Sequence, residues 1–369
     1  MKSGVAIPIG HEERVYLPAL TGVRALAALL VLTVHANQHF TNWLSDHALV
    51  HHGYLGVDLF FILSGFIIAH IYLQEMVPPR VKPLCVFLWH RFIRLFPVHA
   101  VVLLAVVAIV PAGFARSSSW NYHDLPWQFL MVHAWGTTDV LSWNAPTWSI
   151  SAEWFAYLLF PMIAAGVLAL PRHTALPLAM ATLLIAALLF HIGHWHIGSA
   201  WFGLPALVRV GSEFLCGVLI FRAIRVDTVA MPPWLSDVLA FGGLLSFCVA
   251  ACFAVSDFLL IGLLAVLIAG VSGPGVGVRT VFGCRPAVWL GAISYSVYVV
   301  HYPVIVFLHH SAWRFAGQLM SVSGPLRLAM FFISLVAVIG VGALLFRLVE
   351  YPARRRLRNL FGLSDGKRA

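Results

Sequence analysis

Long apolar runs recur along this whole sequence and restrict its fold more than any other feature. A helix needs about 20 mostly apolar residues to cross the hydrocarbon core of a bilayer. Of the 369 residues, 61% are hydrophobic and only 10% are charged, whereas a soluble domain carries about 25% charged residues. The apolar runs lie at 18–38, 54–74, 96–112, 147–170, 174–191, 203–221, 235–254, 257–272, 286–308 and 327–348.

These runs predict an all-α fold, a polytopic integral membrane bundle of about ten helices. We divide the chain into an N-terminal segment at 1–16, a transmembrane domain at 17–350 and a basic tail at 351–369. The positions between the runs leave too little length for a separate water-soluble domain.

The basic residues predict the orientation of the bundle. If the N-terminus is inside, seventeen Lys and Arg residues outside the spans fall on the inner side and only Arg116, Arg314 and Arg327 on the outer side. Cytoplasmic loops of membrane proteins carry this excess of Lys and Arg. Both termini are therefore predicted to be cytoplasmic. The net charge of +9 then reflects membrane topology, and we expect no nucleic-acid partner.

Two ionisable residues lie inside the first apolar run. Arg24 and His35 are eleven positions apart, which is close to three helical turns, so both side chains share one face about 16 Å apart along the axis. Ionisable groups within a membrane are costly and usually functional. The alternative is an arginine that snorkels to the interface and a histidine satisfied within the bundle.

Three further ionisable residues are predicted to reach the depth of His35 from other helices. They are Asp58 in the second run, Glu153 in the fourth and His301 in the ninth. A histidine beside carboxylates suits general-base chemistry. Two histidines and two carboxylates also resemble a metal site, but no metal-ligand spacing occurs within one helix, and we expect no metal.

Arg91 and Arg94 precede the predicted third span on the cytoplasmic side. Two arginines three positions apart are neighbours on a helix and suit bidentate recognition of phosphate groups. The alternative is simple positive-inside anchoring. The predicted outer segment at 113–146 is rich in Trp and polar residues, which favours either interfacial anchoring or stacking against sugar rings.

Four motifs in order, and a later one that is also similar, resemble membrane-bound acyltransferase family 3, which includes bacterial O-antigen, exopolysaccharide and nodulation-factor O-acetyltransferases. The resemblance runs from Leu17 to about Arg354. The motifs are R-x10-H (Arg24 to His35), GxxGVDxFFxLSGF (Gly53 to Phe66), RxxRxxP (Arg91, Arg94 and Pro97), WSxSxE (Trp148 to Glu153) and SYSxYxxH (Ser294 to His301).

The resemblance implies transfer of an acyl group, usually acetyl from acetyl-CoA, to a sugar hydroxyl. By the resemblance, His35 would be the catalytic histidine with Arg24 supporting the same site, Glu153 is similar to the family's acidic residue, and Arg91 and Arg94 would bind the donor. The chemistry of the residues adds that His35 would be the general base, with Asp58 in the same catalytic site. The supporting residues would be Ser64, Trp148, Ser149, Ser151, Tyr295, Tyr298 and His301. Direct transfer and an acyl-histidine intermediate are both open.

The expected partners are acyl-CoA as the donor substrate, a carbohydrate acceptor, the lipid bilayer and polysaccharide-assembly proteins, with no permanently bound cofactor. The expected location is the bacterial inner membrane. Longer relatives carry a periplasmic hydrolase-like domain, for which we expect no room before Ala369. The alternative functions are a transporter with an intramembrane proton or substrate relay, whose inverted halves we do not find, and a structural partner of polysaccharide assembly.

Overall fold

The computed structural model describes residues 17–41, 47–109, 120–224 and 231–358. The predicted N-terminal segment at 1–16, Arg116 in the outer segment and the end of the basic tail after position 358 lie outside these residues. Within the described ranges, every regular element is helical. We number the long helices α1 (Pro18–Phe40), α2 (Gly56–Tyr72), α3 (Val81–Ile109), α4 (Trp148–Ala169), α5 (Ala175–Ile192), α6 (Gly203–Ile224), α7 (Pro233–Ala250), α8 (Asp257–Val271), α9 (Arg285–Val322) and α10 (Gly324–Leu345).

Shorter elements extend or connect these helices. The turns Ala48–His51 and His52–Leu55 lead directly into α2, and Val276–Val281 precedes α9. A single π-helical turn at Phe346–Glu350 joins α10 to the terminal helix Tyr351–Leu357. Among the described residues, nine helices are long and apolar enough to cross a membrane, and α8 is a shorter apolar helix of the same kind. The prediction of a polytopic all-α bundle of about ten helices is confirmed.

The boundary of the third span was predicted wrongly. Helix α3 begins at Val81 and not near position 96, so Arg91 and Arg94 lie well inside a 29-residue helix. Their charges lower the local hydropathy, but both side chains are largely buried against protein groups. Helix α9 is also longer than its predicted span at 286–308, although Ala316 breaks its helical backbone geometry.

Two contacts between helices that are distant in sequence are important for the site. Helix α1 lies along α9, and α2 lies along α6. The second contact needs glycine on both helices, because a Cβ at Gly65 would stand 2.0 Å from the carbonyl oxygen of Phe214, and one at Gly217 would stand 2.0 Å from that of Ile62. Small residues permit such close backbone approach between membrane helices.

Candidate active site

One cavity lies among α1, α2, α3, α4 and α9. The cavity is partly open, and only about 110 Å³ of it is comparable to the volume of a closed cavity. The lining is mixed, with charged, hydroxyl-bearing and apolar side chains: Arg24, Val57, Phe60, Phe61, Leu63, Ser64, Ile67, Ile68, Arg91, Arg94, Leu95, Ser149, Ile150, Glu153, Tyr157, Tyr295 and Tyr298. A mostly apolar pocket with a few convergent polar groups is the usual form of a small-molecule site.

Three arginines from two helices face this cavity. The guanidinium of Arg91 lies 5.4 Å from the ring centre of Tyr72 and 6.0 Å from that of Tyr157. The guanidinium of Arg94 lies 5.2 Å from the ring centre of Tyr295. Arg24 makes no hydrogen bond or ion pair with any described residue. An unpaired guanidinium that faces a cavity is a ready site for an anionic group.

Arg94 is already held by a carboxylate. It donates a hydrogen bond to Glu350, whose side chain is almost completely buried. The other carboxylate oxygen of Glu350 accepts a hydrogen bond from Ser296 Oγ at 2.6 Å. Arg354 Nη1 lies 3.7 Å from Glu350 Oε1. Glu350 therefore ties α3 to α9 and neutralises one of the cavity arginines.

Glu153 lies on the cavity wall between the arginines and the apolar part. Its carboxylate accepts a hydrogen bond from the Tyr157 hydroxyl at 2.6 Å. That hydroxyl also lies 3.1 Å from Ser64 Oγ. The structure thus brings the predicted residues Glu153 and Ser64 to one place, where α2 and α4 pass each other.

Tyr298 connects the cavity to the histidines. Its hydroxyl lies 2.6 Å from Ser149 Oγ and 3.0 Å from the carbonyl oxygen of Pro146. Its ring lines the cavity, and the ring centre lies 5.4 Å from that of His301. His35 and His301 are not lining residues of the cavity, so they reach it through this tyrosine.

His35 and His301, for which the topology predicted a similar depth, are in contact. Their ring centres are 4.8 Å apart, and His301 Nε2 lies 3.4 Å from His35 Nδ1. Each Nδ1 also meets a backbone carbonyl oxygen, that of Val31 for His35 at 3.0 Å and that of Tyr298 for His301. Since a carbonyl oxygen only accepts, both Nδ1 atoms carry the proton. The Nε2 atom of His35 then holds a free lone pair, which is the form a general base needs.

Asp58 does not line the cavity and is not hydrogen-bonded to either histidine. Both of its carboxylate oxygens are occupied by Arg209 on α6, at 2.8 Å from Nε and 2.7 Å from Nη2. The Arg209 guanidinium also lies 5.0 Å from the ring centre of Trp148. Glu213, one turn along α6, is fully buried beside this pair, and neither of its carboxylate oxygens lies within hydrogen-bond distance of a donor among the described residues.

Ser151 and the outer segment form a separate contact. Ser151 Oγ accepts a hydrogen bond from the backbone NH of Ala134, and its carbonyl oxygen accepts one from Trp135 Nε1. The nearby His133 is buried, and its ring is stacked nearly parallel to that of His99. Burial and the neighbouring His99 together lower the pKa of His133 to about 3. The histidine is therefore neutral, and Ser151 anchors the outer segment instead of facing the cavity.

The described residues hold no group of three or more His, Cys, Asp or Glu side chains placed to bind a metal ion. Of the predicted site residues, the structure gathers Arg24, Ser64, Arg91, Arg94, Ser149, Glu153, Tyr295 and Tyr298 around one cavity, with His35 and His301 beside it, and it places Asp58, Trp148 and Ser151 in other contacts. Whether each has its predicted role stays a prediction.

Comparison with known proteins identifies the family. The family described as "Acyltransferase domain", acyltransferase family 3, matches residues 17–347. The chain belongs to this acyltransferase family. No solved structure matches significantly.

Two relatives show how far the similarity extends. The acyltransferase MdmB of Streptomyces mycarofaciens is 30% identical over 93% of this chain and 93% of its own length. The peptidoglycan O-acetyltransferase OatA of Listeria monocytogenes is 24% identical over 93% of this chain, which spans only 56% of OatA. The chain is thus a multi-pass membrane protein of a family with O-acetyltransferase members.

Three buried charged residues of this acyltransferase were missed by the sequence analysis. Arg209 and Glu213 lie four positions apart within the sixth apolar run, and Glu350 follows the tenth. The rule that singled out Arg24 and His35, that charges inside an apolar run need a reason, applies equally to Arg209 and Glu213. Their partners lie on distant helices and give no local signal.

Proposed function

We propose that this protein is an O-acyltransferase that moves an acyl group, normally acetyl, from cytoplasmic acyl-CoA to a hydroxyl of a cell-surface or lipid-linked carbohydrate. One observation carries the proposal: a single cavity starts among three arginines and ends at Tyr298, which contacts the His35–His301 pair. The name of the Listeria relative, a peptidoglycan O-acetyltransferase, supports both the acetyl group and the carbohydrate acceptor.

The arginines are suited to the donor. Coenzyme A carries phosphate groups, and guanidinium groups bind phosphate oxygens through paired hydrogen bonds. Arg24 is without a partner among the described residues and Arg91 faces the same space, while Glu350 holds Arg94 in place. The predicted orientation puts Arg91 and Arg94 nearest the cytoplasm, where acyl-CoA is made.

The histidine pair is suited to the transfer step. His35 Nε2 takes the proton from the acceptor hydroxyl as its oxygen attacks the thioester carbonyl carbon. The new C–O bond replaces the C–S bond, and the leaving thiolate recovers the proton from the His35 imidazolium, so no net proton is released. His301 positions the His35 ring through Nδ1. Attack by His35 itself, with an acyl-histidine intermediate, uses the same lone pair.

The acceptor side follows from the orientation. His35 lies in the outer half of α1 if the N-terminus is cytoplasmic, and His301 lies beside it. The acceptor hydroxyl would therefore arrive from outside the bacterial inner membrane. Polysaccharide-assembly proteins would supply it. The donor leaves as free CoA, and the reaction as proposed needs no permanently bound cofactor.

The test is loss and restoration of a surface acyl group. Mass spectrometry of surface glycans from a deletion strain should show a missing acyl mass that the wild-type gene restores. His35→Ala should lower acylation by about 10²- to 10⁴-fold, the usual contribution of a general base, with the protein still present in the membrane. His191→Ala, a matched change at an exposed histidine at the end of α5, should restore acylation fully. If the His35→Ala variant restored acylation in the deletion strain, His35 would not be the general base.

A further inference from the structure

The two ends of the cavity differ in chemistry. Helices α2 and α4 advance in the same direction, because the ring of Phe61 meets Trp148 at 6.1 Å while, three residues further along α2 and nine further along α4, Ser64 Oγ lies 3.1 Å from the Tyr157 hydroxyl. Arg91 lies beyond Ser64, against Tyr157. The arginines therefore mark one end of the cavity, and the first turns of α2 and α4 form the other.

The end opposite the arginines is apolar. Val57, Phe60 and Ile150 line it, and Val57 and Ile150 are almost completely buried. Among the lining residues at this end, Ser149 Oγ and the Tyr298 hydroxyl satisfy each other at 2.6 Å. Little polar capacity is left for a charged or strongly hydrated ligand here.

A ring pair closes this apolar end. Phe60 packs edge-on against Tyr298, with ring centres 6.0 Å apart, and Tyr298 in turn packs against His301. A group lying against Phe60 and Tyr298 is as close to the His35–His301 pair as the cavity allows. Edge-to-face aromatic pairs of this kind hold a fixed geometry, so the wall has a defined position.

We propose that the apolar end of the cavity is the acyl-group subsite, and that Phe60 sets the longest acyl chain it accepts. This inference rests on the proposed function. With the CoA phosphates at the arginines, the thioester lies toward His35 and its acyl group points at Val57, Phe60 and Ile150. The Phe60 ring fills the space into which a longer chain would extend, so short acyl groups are selected.

The experiment compares two enlargements of the same cavity. Inverted membrane vesicles from the source strain retain the native acceptor, and transfer of radiolabelled acetyl, butyryl and hexanoyl groups from the corresponding acyl-CoA is measured against vesicles from a deletion strain. Phe60→Ala should raise kcat/KM for hexanoyl-CoA relative to acetyl-CoA by at least about tenfold, since each buried methylene is worth about fourfold. Phe60→Leu should give a smaller shift in the same direction.

Ile67→Ala is the matched control, because Ile67 lines the cavity two turns further along α2, toward the arginine end. It should leave the chain-length ratio unchanged. An unchanged ratio in both Phe60 variants, or an equal shift in Ile67→Ala, would overturn the subsite while acetyl transfer by the wild type still supports the proposed function. If wild-type vesicles transfer no acyl group from any acyl-CoA, the proposed function fails and the subsite with it.

Discussion

Asp58 and Arg209 form an ion pair inside the bundle, with both side chains hidden from water and lipid. The arginine fork matches the carboxylate with two hydrogen bonds, at 2.8 and 2.7 Å, and its third contact is the carbonyl oxygen of Ile197. A buried pair adds little net stability, but removing one partner strands the other charge. Asp58 thus has a contact that explains its presence without any catalytic role.

This geometry predicts an asymmetric response to mutation. Asp58→Ala should destabilise the protein by about 3–5 kcal/mol, because the buried Arg209 loses both of its hydrogen bonds to a carboxylate. The double variant Asp58→Leu with Arg209→Met removes both charges and should recover most of that loss. The unfolding midpoint of the detergent-purified protein measures both. A double variant no more stable than Asp58→Ala would show that the ion pair is not the reason for the loss.

Helix α3 shows how tertiary contacts extend an element beyond its apolar run. Its apolar stretch alone predicted a start near position 96, yet the helix begins at Val81. Arg91 is tolerated because it packs against Tyr72 and Tyr157, and Arg94 because it pairs with Glu350. The two arginines therefore lie within α3 and face the cavity, instead of preceding the helix as predicted.

Because Arg91 and Arg94 lie inside α3 and face the cavity, a binding experiment can distinguish a role in donor binding from simple membrane anchoring. Arg91→Ala with Arg94→Ala should weaken binding of acetyl-CoA to the purified protein by at least about tenfold, since hydrogen bonds to charged groups contribute about 1.5–3 kcal/mol each. Arg355→Ala with Arg356→Ala removes two exposed arginines from the terminal helix and should not change that affinity. Isothermal titration calorimetry measures both. Equal affinities of the two double variants for acetyl-CoA would show that Arg91 and Arg94 serve only as topological anchors.

At the scale of the whole molecule, the predicted topology places two exposed cysteines on opposite sides of the membrane. Cys85 lies in the first turns of α3 and Cys252 just after α7, and both are exposed. The helices α3 to α7 separate them, an odd number of crossings. If the Lys and Arg distribution orients the chain correctly, Cys85 is near the cytoplasm and Cys252 near the outer face.

Labelling of intact cells checks this orientation. A membrane-impermeant thiol reagent should modify a variant that retains only Cys252 and leave a variant that retains only Cys85 unmodified until the cells are lysed. The reverse pattern would invert the bundle and put the arginine end of the cavity on the outside. Labelling of both in intact cells would contradict an odd number of crossings between them.

Hydropathy, charge and motif order, which are local or additive properties of a chain, were enough to predict the helical membrane bundle, its approximate spans and its acyltransferase family. They also predicted a similar depth for His35 and His301, because helix periodicity and topology determine depth, but the contact between the two rings is a result of packing. The sequence could not show that Asp58 pairs with Arg209, that Glu350 holds Arg94, or that the cavity ends at Phe60 and Tyr298. Those pairings join helices far apart in sequence, and only the packing of the bundle decides which side chains meet.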